Sequence, residues 1–217
     1  HGKIMVNNPF WRKSISEFKE TIRQWCYAPD GDSLMNLAIF VDAKCVAGDE
    51  TLLDQAKEQL HRSMTDDAGT LGRFARAIEL FDHQNTGFFA QLLNRDSSSQ
   101  MDIKKMGVFP VVHGIRALSL EAHLSETNTF ERIARLTQAG VLDENLSKDL
   151  SEALTYLLDI RLKAGLLAHA VCALEGNHNQ VDMQSLTTLE RDLLKEALQV
   201  VKRFKGMIRT HFHLGNF

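Results

Sequence analysis

Proline is scarce: Pro9, Pro29 and Pro110 are the three in 217 residues. With so few breakers, long helices are permitted. Cysteine is equally scarce, and Cys26, Cys45 and Cys172 form no CxxC pair. That spacing argues against a disulfide framework or a zinc ribbon and fits a reducing compartment, so a cytoplasmic location is expected. Neither sign of charge dominates. The formal net charge is -3, so no basic field draws the chain to nucleic acid or an anionic membrane. No apolar run approaches the length of a bilayer span, and no signal peptide opens the sequence. GxSxG, P-loop, GxGxxG and HExxH motifs are missing, which leaves serine-hydrolase, P-loop and Rossmann readings without support. There is no internal repeat and no low-complexity linker.

What remains is ordinary globular material, 44% hydrophobic and 24% charged, with acidic and basic residues alternating as on solvated helix faces. The opening His1-Gly2-Lys3-Ile4-Met5-Val6 reads as the interior of a longer protein. Ser14-Ile15-Ser16-Glu17 is a capping box that opens a helix carrying Phe18, Ile22 and Trp25 on one face. Pro29-Asp30-Gly31-Asp32 is a turn. The apolar run Leu37 to Val46, closed by Gly48, is predicted to be a buried strand. From Asp49 onward a helical period prevails. Asp49 caps a helix bearing Leu52, Leu53, Ala56 and Leu60, and a second helix covers Leu71 to Phe81. Gly87 to Leu93 and Met101 to Lys104 are two short strands or irregular connections, with Asn94 to Gln100 as the turn between them.

Pro110 suits the first turn of a helix through Leu124. A short helix follows Thr129 and stops at Gly140. Leu146 through Cys172 mark one long helix, ended by Gly176. Thr187-Thr188-Leu189-Glu190 is a second capping box, and it opens a last helix with Leu193, Ala197, Val200, Phe204 and Ile208 on one face. The two long helices should pack antiparallel. The expected fold is mainly α: a helical bundle over residues 49–217, preceded by a small α/β unit over residues 1–48.

Among candidate site residues, Asp42 lies late in the predicted strand, where an unpaired carboxylate is costly to bury. It is either a cation ligand or a structural or solvated carboxylate. Arg161 shares a helix face with Leu154, Leu157 and Ala164. A guanidinium in such a stripe needs a carboxylate partner or an anionic ligand, unless it snorkels to solvent. Arg116 and Arg132, with Lys104 and Arg161, form a phosphate-binding cleft or are four ordinary surface charges. His211-Phe212-His213 has the wrong helical spacing for a metal pair and reads as a frayed terminus. His113, His123, His169 and His178 show no ligand spacing.

Several stretches together resemble one family. They are Gly2-Lys3-Ile4-Met5 with Asn8-Pro9-Phe10-Trp11-Arg12, then Ile39-Phe40-Val41-Asp42. Asp102-Ile103-Lys104, Gly107-Val108-Phe109-Pro110 and Gly114-Ile115-Arg116-Ala117-Leu118 follow. Thr127 to Arg132, Ile160-Arg161-Leu162, Asn179-Gln180-Val181-Asp182, Leu186 and Leu189-Glu190-Arg191 complete the set. Their order resembles the nucleotidyltransferases found downstream of cyclic-nucleotide-binding and CBS domains in bacterial signalling proteins, which are similar to the uridylyltransferase that modifies the PII nitrogen regulator.

The resemblance implies a polymerase-β-like core in which carboxylates hold Mg²⁺ against a nucleoside triphosphate. Asp42 resembles its third carboxylate, and so would be a catalytic metal ligand. The family's Gly-Ser turn and Asp-x-Asp strand would lie before His1, so this chain should not catalyse transfer unaided. Residues 49–217 resemble the family's helical substrate-binding domain, with Lys104, Arg116, Arg132, Arg161 and Asp182 as substrate-binding positions. The implied partners are a protein acceptor and upstream CBS and cyclic-nucleotide-binding domains, and a homodimer is left open. The competing reading is a non-catalytic helical module for interaction or dimerisation.

Overall fold

The computed structural model describes residues 8–28, 32–80, 100–170 and 179–215. In chain order, α1 (Ile15–Tyr27), α2 (Ser33–Val41), α3 (Glu50–Asp66) and α4 (Ala68–Ala75) come first, with a 3₁₀ turn at Arg76–Glu79. Strand β1 (Gln100–Asp102) leads through a π-helical turn, Lys104–Val108, into α5 (Phe109–Glu121). Then follow α6 (Thr129–Gln138), α7 (Glu144–Ala170), β2 (Gln180–Asp182) and α8 (Thr188–His211). A mainly helical bundle is therefore what the sequence forms.

Local chemistry explains most element ends. Ser14 and Thr187 each make both halves of a capping box, with Glu17 and Glu190. Asp49 accepts from the Thr51 amide at the start of α3. Gly140 takes a φ of +71° just after α6, a backbone state that L side chains rarely adopt, and so ends that helix where predicted. The predicted helix from Leu71 is split into α4 and the 3₁₀ turn, and Phe81 lies outside the described residues.

The predicted strand over Leu37 to Val46 is overturned. Its first half is the end of α2, and Asp42 is the C-terminal cap. Leu37, Phe40 and Val41 are all buried, and their spacing is that of one helix face. The fully apolar run hid that period. Of the two uncertain segments, Met101 does lie in a strand. Its partner is β2, in antiparallel register with Gln100 opposite Asp182, Met101 opposite Val181 and Asp102 opposite Gln180. Gly87 to Leu93 lie outside the described residues, as do Pro29 to Gly31, Cys172, Gly176 and His178. Among the described residues, no helix is long and apolar enough to cross a membrane.

Helix α5 lies at the centre and touches α2, α3, α4, α6 and α8. One apolar core runs continuously from Ile22 to Leu214. The approach of α8 to α5 depends on Gly114. A Cβ there would sit 2.6 Å from Phe204 Cε1 and 3.2 Å from Ile208 Cγ1. On α8 the buried stripe is Leu194, Ala197, Leu198, Val201, Phe204 and Ile208. The stripe predicted from Leu193 and Val200 is displaced to one side, and Leu193 is 45% exposed.

His113, also on α5, is 1% exposed. Its Nε2 lies 2.7 Å from the Phe74 carbonyl oxygen, its ring stacks on Phe109, and its Nδ1 has no hydrogen-bond partner among the described residues. Burial holds its pKa down to about 4 from the ordinary 6.5, partly offset by the Phe74 bond.

Gly114→Ala should destabilise the chain by about 2 kcal/mol in urea unfolding, because overpacking outweighs the better helix propensity. His113 makes stability pH-dependent. The unfolded chain takes up this proton near pH 6.5, the folded chain only near 4. The stabilisation is complete above pH 6.5 and is lost as pH falls toward 4. Urea unfolding at about pH 5 should show about 2 kcal/mol less stability from this group than at about pH 7.5. His113→Gln should flatten that difference.

Candidate functional site

Two polar constellations hold the residues singled out by sequence. The first joins the end of α2 to α5 and α6. Asp42 Oδ1 accepts from Arg132 Nη1 at 2.6 Å, and Asp42 Oδ2 accepts from Arg116 Nε at 2.9 Å. Arg116 Nη2 also bonds Oδ2. Arg132 is 1% exposed. Its guanidinium also donates to the Glu126 carbonyl at 2.7 Å and the Val41 carbonyl at 3.4 Å. Burial lowers the Arg132 pKa, and the Asp42 charge pulls it back up. Lys57 of α3, half-buried nearby, is also held low, first by burial and then by the Arg132 charge.

This arrangement is a carboxylate clamped between two guanidinium groups. It does not fit a magnesium site. Both oxygens of Asp42 are engaged by cations, a divalent ion would have to displace them, and Asp42 follows the last turn of a helix, its backbone amide donating to the Ile39 and Phe40 carbonyls, instead of ending a sheet strand. Among the described residues, no group of three or more His, Cys, Asp or Glu side chains could hold a metal ion. His211, seen in sequence as part of a frayed end, lies in α8 with Nε2 2.5 Å from Glu121 Oε2.

The second constellation surrounds the small sheet. Arg161 Nε of α7 donates to Asn179 Oδ1 at 2.7 Å, and the Asn179 carbonyl accepts from the Ile103 amide at 2.9 Å. Asn179 thus pins the long helix to the start of the π-helical turn. Asp102 receives the Lys105 amide at 3.0 Å, Lys104 is exposed beside it, and Asp182 is exposed on β2. The π-helical turn lies close against α7 because Gly107 has no side chain: a Cβ there would sit 2.8 Å from Leu157 Cδ2. Such turns recur at functional sites.

The four cations predicted as one cleft are therefore divided. Arg116 and Arg132 serve Asp42. Lys104 and Arg161 lie at the sheet corner, with Asp182 on the adjoining strand. Sequence reasoning missed Lys57 and Asn179 as members. Asn179 stood inside a matching stretch, but nothing local marked its bond to Arg161. For Lys57, half-burial of a lysine four residues before His61 on α3 gives no distinctive pattern.

Residues 68–212 match the family model described as "putative nucleotidyltransferase substrate binding domain", and the chain belongs to that family. Residues 1–32 match a second model, described as a putative nucleotidyltransferase. Neither the curated proteins nor the solved structures gave a match.

Asp42→Ala should cost about 3 kcal/mol in chemical unfolding, because it strands the buried Arg132 charge. Adding Arg132→Met should recover part of that loss, since no buried cation then remains unpaired. Equal stability of Asp42→Ala and the parent would refute the clamp.

Proposed function

We propose that this chain supplies the substrate-holding segment of a signalling nucleotidyltransferase of the PII-uridylyltransferase type, which transfers a nucleoside monophosphate to a protein acceptor. The sheet corner is the anion-holding part, with Arg161 and Lys104 as its cations and Asp182 at its edge. One observation carries this reading. Arg161 is half-buried, yet its partner among the described residues is the neutral Asn179 amide and not a carboxylate. A guanidinium so held keeps its charge for a bidentate phosphate or carboxylate ligand. Asn179 fixes Nε, which orients the plane of the fork.

In this reading Asp42 is a structural anchor. The Mg²⁺ that nucleotidyl transfer requires in the complete protein is held by carboxylates other than Asp42. Upstream CBS and cyclic-nucleotide-binding domains would supply the signal. The second reading, a non-catalytic interaction module, is favoured by an open apolar groove between α7 and α8.

The test is thermal melting of the chain with magnesium nucleoside triphosphates and with inorganic phosphate alone. Ligand at about a hundred times Kd should raise Tm by about 5 °C or more. Arg161→Ala should abolish the rise, and should itself lower the unliganded Tm by about 2–4 °C through loss of the Asn179 bond. If no nucleotide, and no phosphate, shifts the melting of the parent chain, the anion-holding corner is wrong.

A further inference from the structure

The groove between α7 and α8 encloses about 970 Å³. Its floor is Ala153 and Tyr156 of α7 with Leu193, Ala197 and Val200 of α8. Leu193, Ala197 and Val200 follow one another at steps of four and three, the spacing of a seam that receives another helix. Leu189, one turn earlier, is 69% exposed. Helix α8 therefore carries two adjacent apolar stripes. Leu194, Leu198, Val201 and Ile208 fill the core, and the second stripe opens into the groove. Tyr156 closes the floor, its hydroxyl donating to the Glu190 carbonyl at 2.6 Å.

The rim decides what fits. Asp149 and Glu152 line the α7 side, and Lys202 and Arg203 line the facing stretch of α8, with Glu196 two turns earlier beside Leu193. Arg203 and Asp149 pair within the chain, with side chains 58% and 40% exposed, so the two rims stand at the same level along the helices. A two-fold axis parallel to the helices would lay α7 of one copy over α8 of the other at that level. The acidic rim of one copy then meets the basic rim of its partner, and the two apolar floors close on each other. A groove whose two sides are each other's electrostatic complement is suited to its own copy.

We propose that this face is a two-fold interface in which the α7–α8 hairpins of two chains pack into a four-helix bundle. The proposal is independent of the anion-holding corner, which lies on the β1–β2 side of the chain.

Sedimentation equilibrium tests it, and about 100 μM chain suffices to populate a dimer with micromolar Kd. The expected mass is twice the 24.5 kDa of one chain. Leu193→Glu, at an exposed position, should weaken association by about tenfold or more while circular dichroism stays unchanged. Asp149→Arg and Arg203→Asp should each weaken it, and the two together should restore it, because they exchange the rims without changing their complementarity. A folded chain that remains monomeric at this concentration overturns the proposal, and leaves the groove to an amphipathic helix of another protein. A dimer indifferent to Leu193→Glu and to both charge variants overturns it equally.

Discussion

One guanidinium governs how the front of this molecule is joined to the rest. Arg132 has almost no contact with solvent, and an isolated buried cation would cost several kcal/mol. It is tolerated because α2 ends at Asp42, whose carboxylate meets it at 2.6 Å. Arg116 closes the other side of the same carboxylate, and the Glu126 and Val41 carbonyls accept from Arg132 Nε and Nη2. The three charged groups come from α2, α5 and α6. Their pairing fixes the end of α2 against α5, which also carries the buried His113 and the Gly114 contact with α8. The packing of the core and the position of Asp42 are thus one arrangement.

The parts of the fold set by neighbours in sequence were legible. Both capping boxes, the Asp49 cap and the stop at Gly140 are one-turn chemistry, and each was visible in four residues. The run through Leu37 to Val46 was not. Leu37 to Val41 are apolar without a break, so neither the two-residue nor the helical period stands out, and β-branched content favoured a strand. Packing against α1 and α5 decided for helix. On α8 the apolar arc is wider than the core needs, so the sequence alone placed the buried face too far toward Leu193.

The candidate site shows the same division. Sequence and family resemblance picked Asp42, Arg116, Arg132 and Arg161, but not Asn179, which joins Arg161 to the π-helical turn. They could not show which cations share a cluster, because Arg116 and Arg132 find Asp42 across long stretches of chain. Nor could they show that the carboxylate expected to bind metal already has two cationic partners. The distinction matters for chemistry: a clamped carboxylate orders structure, whereas a guanidinium held by an amide keeps its charge for a ligand. The proposed anion-holding role accordingly rests on the Arg161–Asn179 bond at the sheet corner and not on Asp42.

The two-stranded sheet is three residues deep on each side, and α5, α6 and α7 all lie between its strands in sequence. Closing so long a loop for so few ladder bonds is entropically unfavourable until those helices have docked. The sheet corner that holds Arg161 therefore depends on the prior packing of α5, α6 and α7 for its own closure. Met101, Ile103, Val181 and Met183 are all buried there, so the corner that presents Arg161 is sewn into the same core that α5 organises.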